Sequence, residues 1–170
     1  IKRHAKAFDY RNLLYSYYKA NADLNINTAV SKGKYEDYKI VYMPAYNIIH
    51  SEEIEKITEY VKNGGILVTT FRSGTRDIYN NLFTSTLPCA FATLAGIEVE
   101  EFSALRKPAH IEGIVSSEAT IWCDIIKPIT AETLCSYSDR YFKDKAAITV
   151  NDFGKGKVYY IGCDLEEEAL

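Results

Sequence analysis

Val61-Lys62-Asn63-Gly64-Gly65-Ile66-Leu67-Val68-Thr69-Thr70-Phe71-Arg72-Ser73-Gly74 is the stretch that decides the fold class. Before it, Ile54, Ile57 and Val61 share one helical face. Ser51 is a good N-cap residue, and Glu52 and Glu53 suit the positive end of a helix dipole. Gly64 supplies the residue past the helix end that is free to adopt positive φ. Ile66 to Thr70, apolar and rich in β-branched residues, reads as a strand buried on both faces. Upstream, Tyr38 to Met43 is a second apolar strand, stopped by Pro44. Residues 38–70 thus make a strand–helix–strand unit of a length that demands a parallel, right-handed crossover. The expected fold is α/β, three layers built on a mostly parallel sheet.

The flanks extend the alternation. Phe8 to Ala22 carries apolar residues at helical spacing, and Asn25 to Val30 alternates like a short strand, expected to run parallel to the other two. Leu87 to Leu94 reads as a helix closed by Gly96, and Ile97 to Phe102 as a strand. His110 to Val115 and Ala119 to Cys123 read as short antiparallel strands. Ala146 to Val150 and Lys157 to Ile161 flank a glycine-bearing loop and predict a C-terminal β-hairpin.

Composition narrows the function. The 170 residues, 47% hydrophobic and 25% charged, fit one globular domain, expected to be a piece of a longer chain. A formal net charge of −3 offers no basic field for nucleic acid. No apolar run approaches the ~20 residues of a membrane span, so neither a nucleic-acid nor a membrane partner is expected. Cys89, Cys123, Cys135 and Cys163 form no CxxC pair, and His4, His50 and His110 are scattered, so metal-ligand spacing is absent. The cysteines read as buried free thiols of a reducing compartment, the cytoplasm.

The chemistry hinges on Phe71-Arg72-Ser73-Gly74. A nucleophile turn needs glycine two residues before and after the nucleophile, and Ser73 has Phe71 and Thr75 there. A phosphate cradle needs several glycines opening a helix, and this stretch has one. A weak anion site at Arg72 and a structural loop, with Arg72 paired to an acid such as Asp77, both stay open. Glycoside hydrolysis needs two facing carboxylates, whereas Glu98 and Glu100 share one face of a strand and point to solvent. Gly154-Lys155-Gly156 sits in a hairpin, where turn geometry explains it. Trp122 and the 14 tyrosines are scattered, as core and interface residues are.

A resemblance adds to this reading. Tyr38-Lys39-Ile40-Val41-Tyr42-Met43-Pro44-Ala45, the Gly64-Gly65 strand, Phe71-Arg72-Ser73-Gly74 with Asp77 and Asn81, Leu87-Pro88, the segment Gly96 to Phe102 and the segment Asn151 to Gly162 occur in order. Together they resemble the middle domain of glycoside hydrolase family 42 β-galactosidases. The resemblance implies a trimerisation domain with a class I glutamine amidotransferase-like (flavodoxin-like) fold that lacks that fold's catalytic cysteine. It implies no catalytic residue and no cofactor here, because the family's two catalytic glutamates belong to an upstream barrel. The implied partners are the chain's own catalytic barrel and the neighbouring subunits of a homotrimer. The family's opening strand has no counterpart between Ile1 and Phe8, and Thr28 stands where relatives often carry Asp. The alternative is a stand-alone amidotransferase-like domain binding a small ligand at the strand ends. The loops at those ends give the candidate interface residues: Tyr46, Ile48, Ile49, Phe71 and Arg72.

Overall fold

The computed structural model describes residues 34–166 and 169. The helix expected over Phe8 to Ala22 and the strand over Asn25 to Val30 lie outside them. Among the described residues nine strands form one sheet: β1 (Ile40–Met43), β2 (Ile66–Thr70), β3 (Ile97–Ala104), β4 (Ala109–Gly113), β5 (Ser117–Ala119), β6 (Trp122–Pro128), β7 (Glu132–Tyr137), β8 (Ala146–Phe153) and β9 (Gly156–Ile161). The longer helix is α1 (Ser51–Lys62), and a single turn, α2 (Ala92–Ala95), follows a 3₁₀ turn at Cys89–Phe91. No helix of the described residues is long and apolar enough to cross a membrane.

The strand–helix–strand unit forms as its residues dictate. β1 and β2 are parallel, Ile40 opposite Ile66, and α1 buries Ile57, Tyr60 and Val61 against them. The helix opens one residue earlier than the cap chemistry suggests: His50 is the N-cap, with no side-chain capping bond, and Ser51 is already helical. Its C-terminus closes as expected. Gly64 at φ 116° donates its N–H to Val61 O (2.9 Å), and Gly65 N–H reaches Tyr60 O (3.0 Å), satisfying two carbonyls that the helix leaves unpaired. The loop Gly154-Lys155-Gly156 serves this helix end: Lys155 N–H bonds Lys62 O at 3.0 Å, and a Cβ on Gly156 would stand 2.2 Å from the carbonyls of Val61 and Gly65.

The expected three-layer, mostly parallel, amidotransferase-like architecture is overturned. Among the described strands only β1, β2 and β9 run parallel; every other pairing between those strands is antiparallel. The sheet runs β1-β2-β9-β8-β7-β4-β5, with β6 and β3 branching from β8, and curls into a half-barrel. The reason lies in residues 97–161, whose strands are joined by short turns rather than helical crossovers, so antiparallel pairing is what they can reach. Among the described residues no helix falls within 104–161, and the curl encloses a core of its own. Two cores result. Met43, Leu67, Val158 and Tyr160 pack with the helices, while Ile111, Ile125, Tyr137, Phe142 and Ile161 fill the curl. Neighbours split between them, Ile126 to the first and Ile125 to the second, as a two-residue period requires.

The strand expected over Ala119 to Cys123 is broken in two. The Asp164 carboxylate accepts from Thr120 N (2.8 Å), Ile121 N (2.9 Å) and Trp122 N (2.8 Å), turning the chain between β5 and β6. The C-terminal hairpin of β8 and β9 is as expected, and Leu87 to Leu94 supplies only the 3₁₀ turn and α2, ended by Gly96 at φ 64°.

Gly65 is a test of this packing. The Tyr60 ring lies over it, with carbons 2.2–2.4 Å from where a Cβ would stand, while the Tyr60 hydroxyl donates to Tyr38 O and accepts from Ile66 N. Gly65→Ala is expected to lower unfolding free energy by about 2–3 kcal/mol in urea titrations, the cost of overfilling a packed site.

Candidate functional site

The loops after β1 and β2 are stapled together by side chains that sequence reading weighed for chemistry. Ser73 is fully buried; its hydroxyl donates to Met43 O (3.2 Å) and accepts from Tyr46 N (3.0 Å). Thr70 Oγ1 accepts from Ala45 N at 2.7 Å, and Gly74 N–H bonds Tyr46 O at 2.8 Å. Ser73 is thus a structural hydroxyl. The residue at the tip of the turn is Arg72, held at φ 64°, a conformation that a residue with a Cβ adopts only when its surroundings insist.

Arg72 does not go to Asp77. The Asp77 carboxylate caps its own turn, accepting from Tyr79 N (2.9 Å), Asn81 N (2.8 Å) and Asn81 Nδ2 (3.1 Å), and the Asn81 backbone bond leads in holding its pKa below the usual carboxylate range. The Arg72 guanidinium instead lies 5.1 Å from the centre of the Trp122 ring. Trp122 stacks on Phe102 at 5.3 Å and on Phe71 at 6.2 Å. Its indole N–H donates to Asp124 Oδ1 (2.8 Å), and the Tyr160 hydroxyl donates to Asp124 Oδ2 (2.7 Å). Asp124 is 3% exposed. Burial pushes its carboxyl up to about 6, against the pull of the Trp122 and Tyr160 bonds and the Arg72 charge. Burial likewise drives the Tyr160 phenol well above its usual value, with the Asp124 charge adding to it.

Arg72, Phe102, Trp122, Asp124 and Tyr160 line a cleft of about 380 Å³, together with Arg76 and Leu82. Exposed apolar side chains cluster near it: Leu82 and Phe102 line it, Ile48 bridges to Arg76, and Ile78 and Tyr79 lie on the adjoining turn. Of the candidate interface residues, Ile48 and Arg72 are exposed and Tyr46 is half-buried, whereas Ile49 and Phe71 are each 1% exposed and belong to the interior. Sequence reading missed Phe102, Asp124 and Tyr160. One signal was available: an acid inside the apolar run from Ile121 to Ile126, two residues from the only tryptophan and so on the same strand face.

Other acids are paired outward. Glu98 meets Lys127 (2.9 Å) and Glu100 meets Lys145 (3.0 Å). Among the described residues no group of three or more His, Cys, Asp or Glu could hold a metal ion. The four cysteines are free.

The Asp124 shift has a stability consequence of definite sign. The unfolded carboxyl titrates near pH 4 and the folded one at about 6. The folded state therefore holds the proton more tightly, and this contribution is full below about pH 4 and lost as pH rises through about 6. It amounts to ~3 kcal/mol at most. Asp124→Asn is expected to flatten the fall in urea-measured stability between about pH 4 and 7 relative to the unmodified chain.

Residues 1–170 match the family of the β-galactosidase trimerisation domain. The β-galactosidase Pbg of Clostridium perfringens is 33% identical over 174 residues, covering 95% of this chain and 25% of its own length. The β-galactosidase LacZ of Heyndrickxia coagulans is 34% identical over 136 residues, covering 78% and 20%. Among solved structures, Gan42B, a GH42 β-galactosidase from G. stearothermophilus, superposes with a TM-score of 0.88 at 27% identity, over 96% of this chain and 25% of that one. The β-galactosidase from Bacillus circulans sp. alkalophilus does so at 0.86 and 29%, over 96% and 26%. The chain spans about a fifth to a quarter of the length of the curated relatives it matches.

Proposed function

Because the chain belongs to the β-galactosidase trimerisation domain family, we propose that it is the non-catalytic assembly domain of a β-galactosidase acting on β-galactosides. It is one domain of a longer chain and sits beside that chain's catalytic barrel in a homotrimer. It works in the cytoplasm, a reading supported by its four unpaired cysteines, three of them buried. It needs no cofactor, nucleic acid or membrane.

The observation that carries this reading is the arginine at the elbow. The residue held at positive φ in the turn after β2 is an arginine and not a nucleophile, and the neighbouring serine hydroxyl is committed to Met43 and Tyr46. The alternative of a stand-alone amidotransferase-like domain is not favoured, since it presupposes the fold overturned above.

A trimer ring is built from heterologous contacts, so each subunit presents one patch to a different patch of the next. The edge carrying Ile48, Tyr46, Leu82 and the turn residues Ile78 and Tyr79, beside Arg72 and Phe102 of the cleft, supports one such patch: Ile48, Ile78, Tyr79 and Leu82 are exposed, Tyr46 is half-buried, and aromatics are among the types enriched at contacts. Phe71 and Ile49 support it from within by holding the loops. This edge supplies only part of the ~1,200–2,000 Å² that a stable interface buries. The 170-residue chain is therefore expected to be mainly monomeric at micromolar concentration and silent towards an aryl galactoside, while the full enzyme is a trimer. Ile48→Asp with Leu82→Asp is expected to raise the trimer dissociation constant at least about tenfold, by light scattering on the full enzyme. An unchanged trimer would place the interface on another face.

A further inference from the structure

The cleft beside Arg72 has a wall, a floor and a charge balance that together select a class of ligand. The wall is Phe102, 53% exposed. One face of its ring is stacked on Trp122, which also stacks on Phe71, and about half of the side chain stays exposed. The floor is Asp124, 3% exposed, with one donor on each oxygen. A carboxylate oxygen accepts two hydrogen bonds, so each keeps acceptor capacity. Above it lies Arg72, whose guanidinium makes, among the described residues, a ring contact with Trp122 and no hydrogen bond to the protein.

Charge excludes the ionic ligands. An anion drawn to Arg72 and Arg76 would meet the Asp124 carboxylate, and a cation drawn to Asp124 would meet two guanidinium groups. A neutral ligand with both hydroxyl donors and acceptors satisfies both signs at once. A ring with an apolar C–H face also suits an exposed aromatic. At about 380 Å³ the cleft stands at the small end of ligand sites, which run to roughly 300–1,000 Å³. That is room for one or two rings.

We propose that this cleft is a binding site for a neutral saccharide, with Phe102 as the stacking surface and Arg72 and Asp124 reading its hydroxyls. The choice of galactose-containing probes rests on the assembly-domain reading above; the cleft chemistry does not.

Trp122, the only tryptophan, touches Phe102, Arg72 and Asp124, so its fluorescence reports the site directly. The 170-residue chain is titrated with galactose, lactose, inorganic phosphate and n-butylammonium. A saturable change with galactose or lactose, and none with the two ions, is the expected result. Arg72→Lys and Phe102→Ala, both at exposed side chains, are expected to weaken sugar binding at least about tenfold, with far-ultraviolet circular dichroism unchanged. Should Phe102→Ala perturb folding, Phe102→Leu fills the space without offering a ring and is expected to lose binding likewise. A flat titration with both sugars, saturation by phosphate or butylammonium, or full sugar binding by Phe102→Leu would overturn the proposal. Light scattering on the full enzyme reads assembly independently, so a failure of either reading is seen without the other.

Discussion

Strand β9 bonds to β2 on one side in parallel register and to β8 on the other in antiparallel register. The unit built by β1, α1 and β2 therefore joins the rest of the sheet through a strand some ninety residues away, as the pairing of Leu67 with Val158 shows. Its residues divide between the two cores. Val158 and Tyr160 face the helices, and Ile161 faces the curl. Tyr160 does more than fill space, since its hydroxyl ends on Asp124 in β6. The same strand thus sets the sheet, separates the cores and fixes the floor of the cleft. So many long-range pairings have to close together that a cooperative and slow folding reaction follows.

The elbow is the second constraint. A non-glycine residue in the left-handed region costs of order 1–3 kcal/mol and persists only where its surroundings over-determine it. Here they do. Ser73, Thr70 and Gly74 each bond the preceding loop, and Phe71 N–H extends the ladder to Ile161 O at 2.8 Å. Arg72 is left at the tip with nowhere to go but outward, over Trp122. A turn of this shape can display whichever side chain occupies its tip, and here that side chain is suited to recognition rather than to covalent chemistry.

The local features were legible in the sequence because they are made by neighbours. Ile57 and Val61 announced the helix face, Gly64 its end, and the two β-rich runs around Gly154 and Gly156 the hairpin. The architecture was not legible. A parallel βαβ unit reads the same whether the remaining strands continue it or, as here, turn antiparallel and curl. β7 and the full length of β6 went unread because Asp164, more than forty residues from Thr120, is what breaks the chain between β5 and β6. Within the candidate site, Ile48 and Arg72 were found as exposed residues, and Phe71 and Ile49 turned out to support them from inside. Asp124 escaped notice because its partners, Tyr160 and Arg72, come from distant segments.

The central claim is that the edge carrying Ile48 and Leu82, beside the Arg72 elbow, is where this domain meets its neighbours. Hydrogen exchange on the full enzyme, compared peptide by peptide with the 170-residue chain, addresses it most directly. The account predicts added protection in residues 76–83 of the full enzyme, with β4 and β5 at the far end of the sheet unchanged. Equal exchange of 76–83 in both proteins, with new protection on β4 and β5, would contradict it.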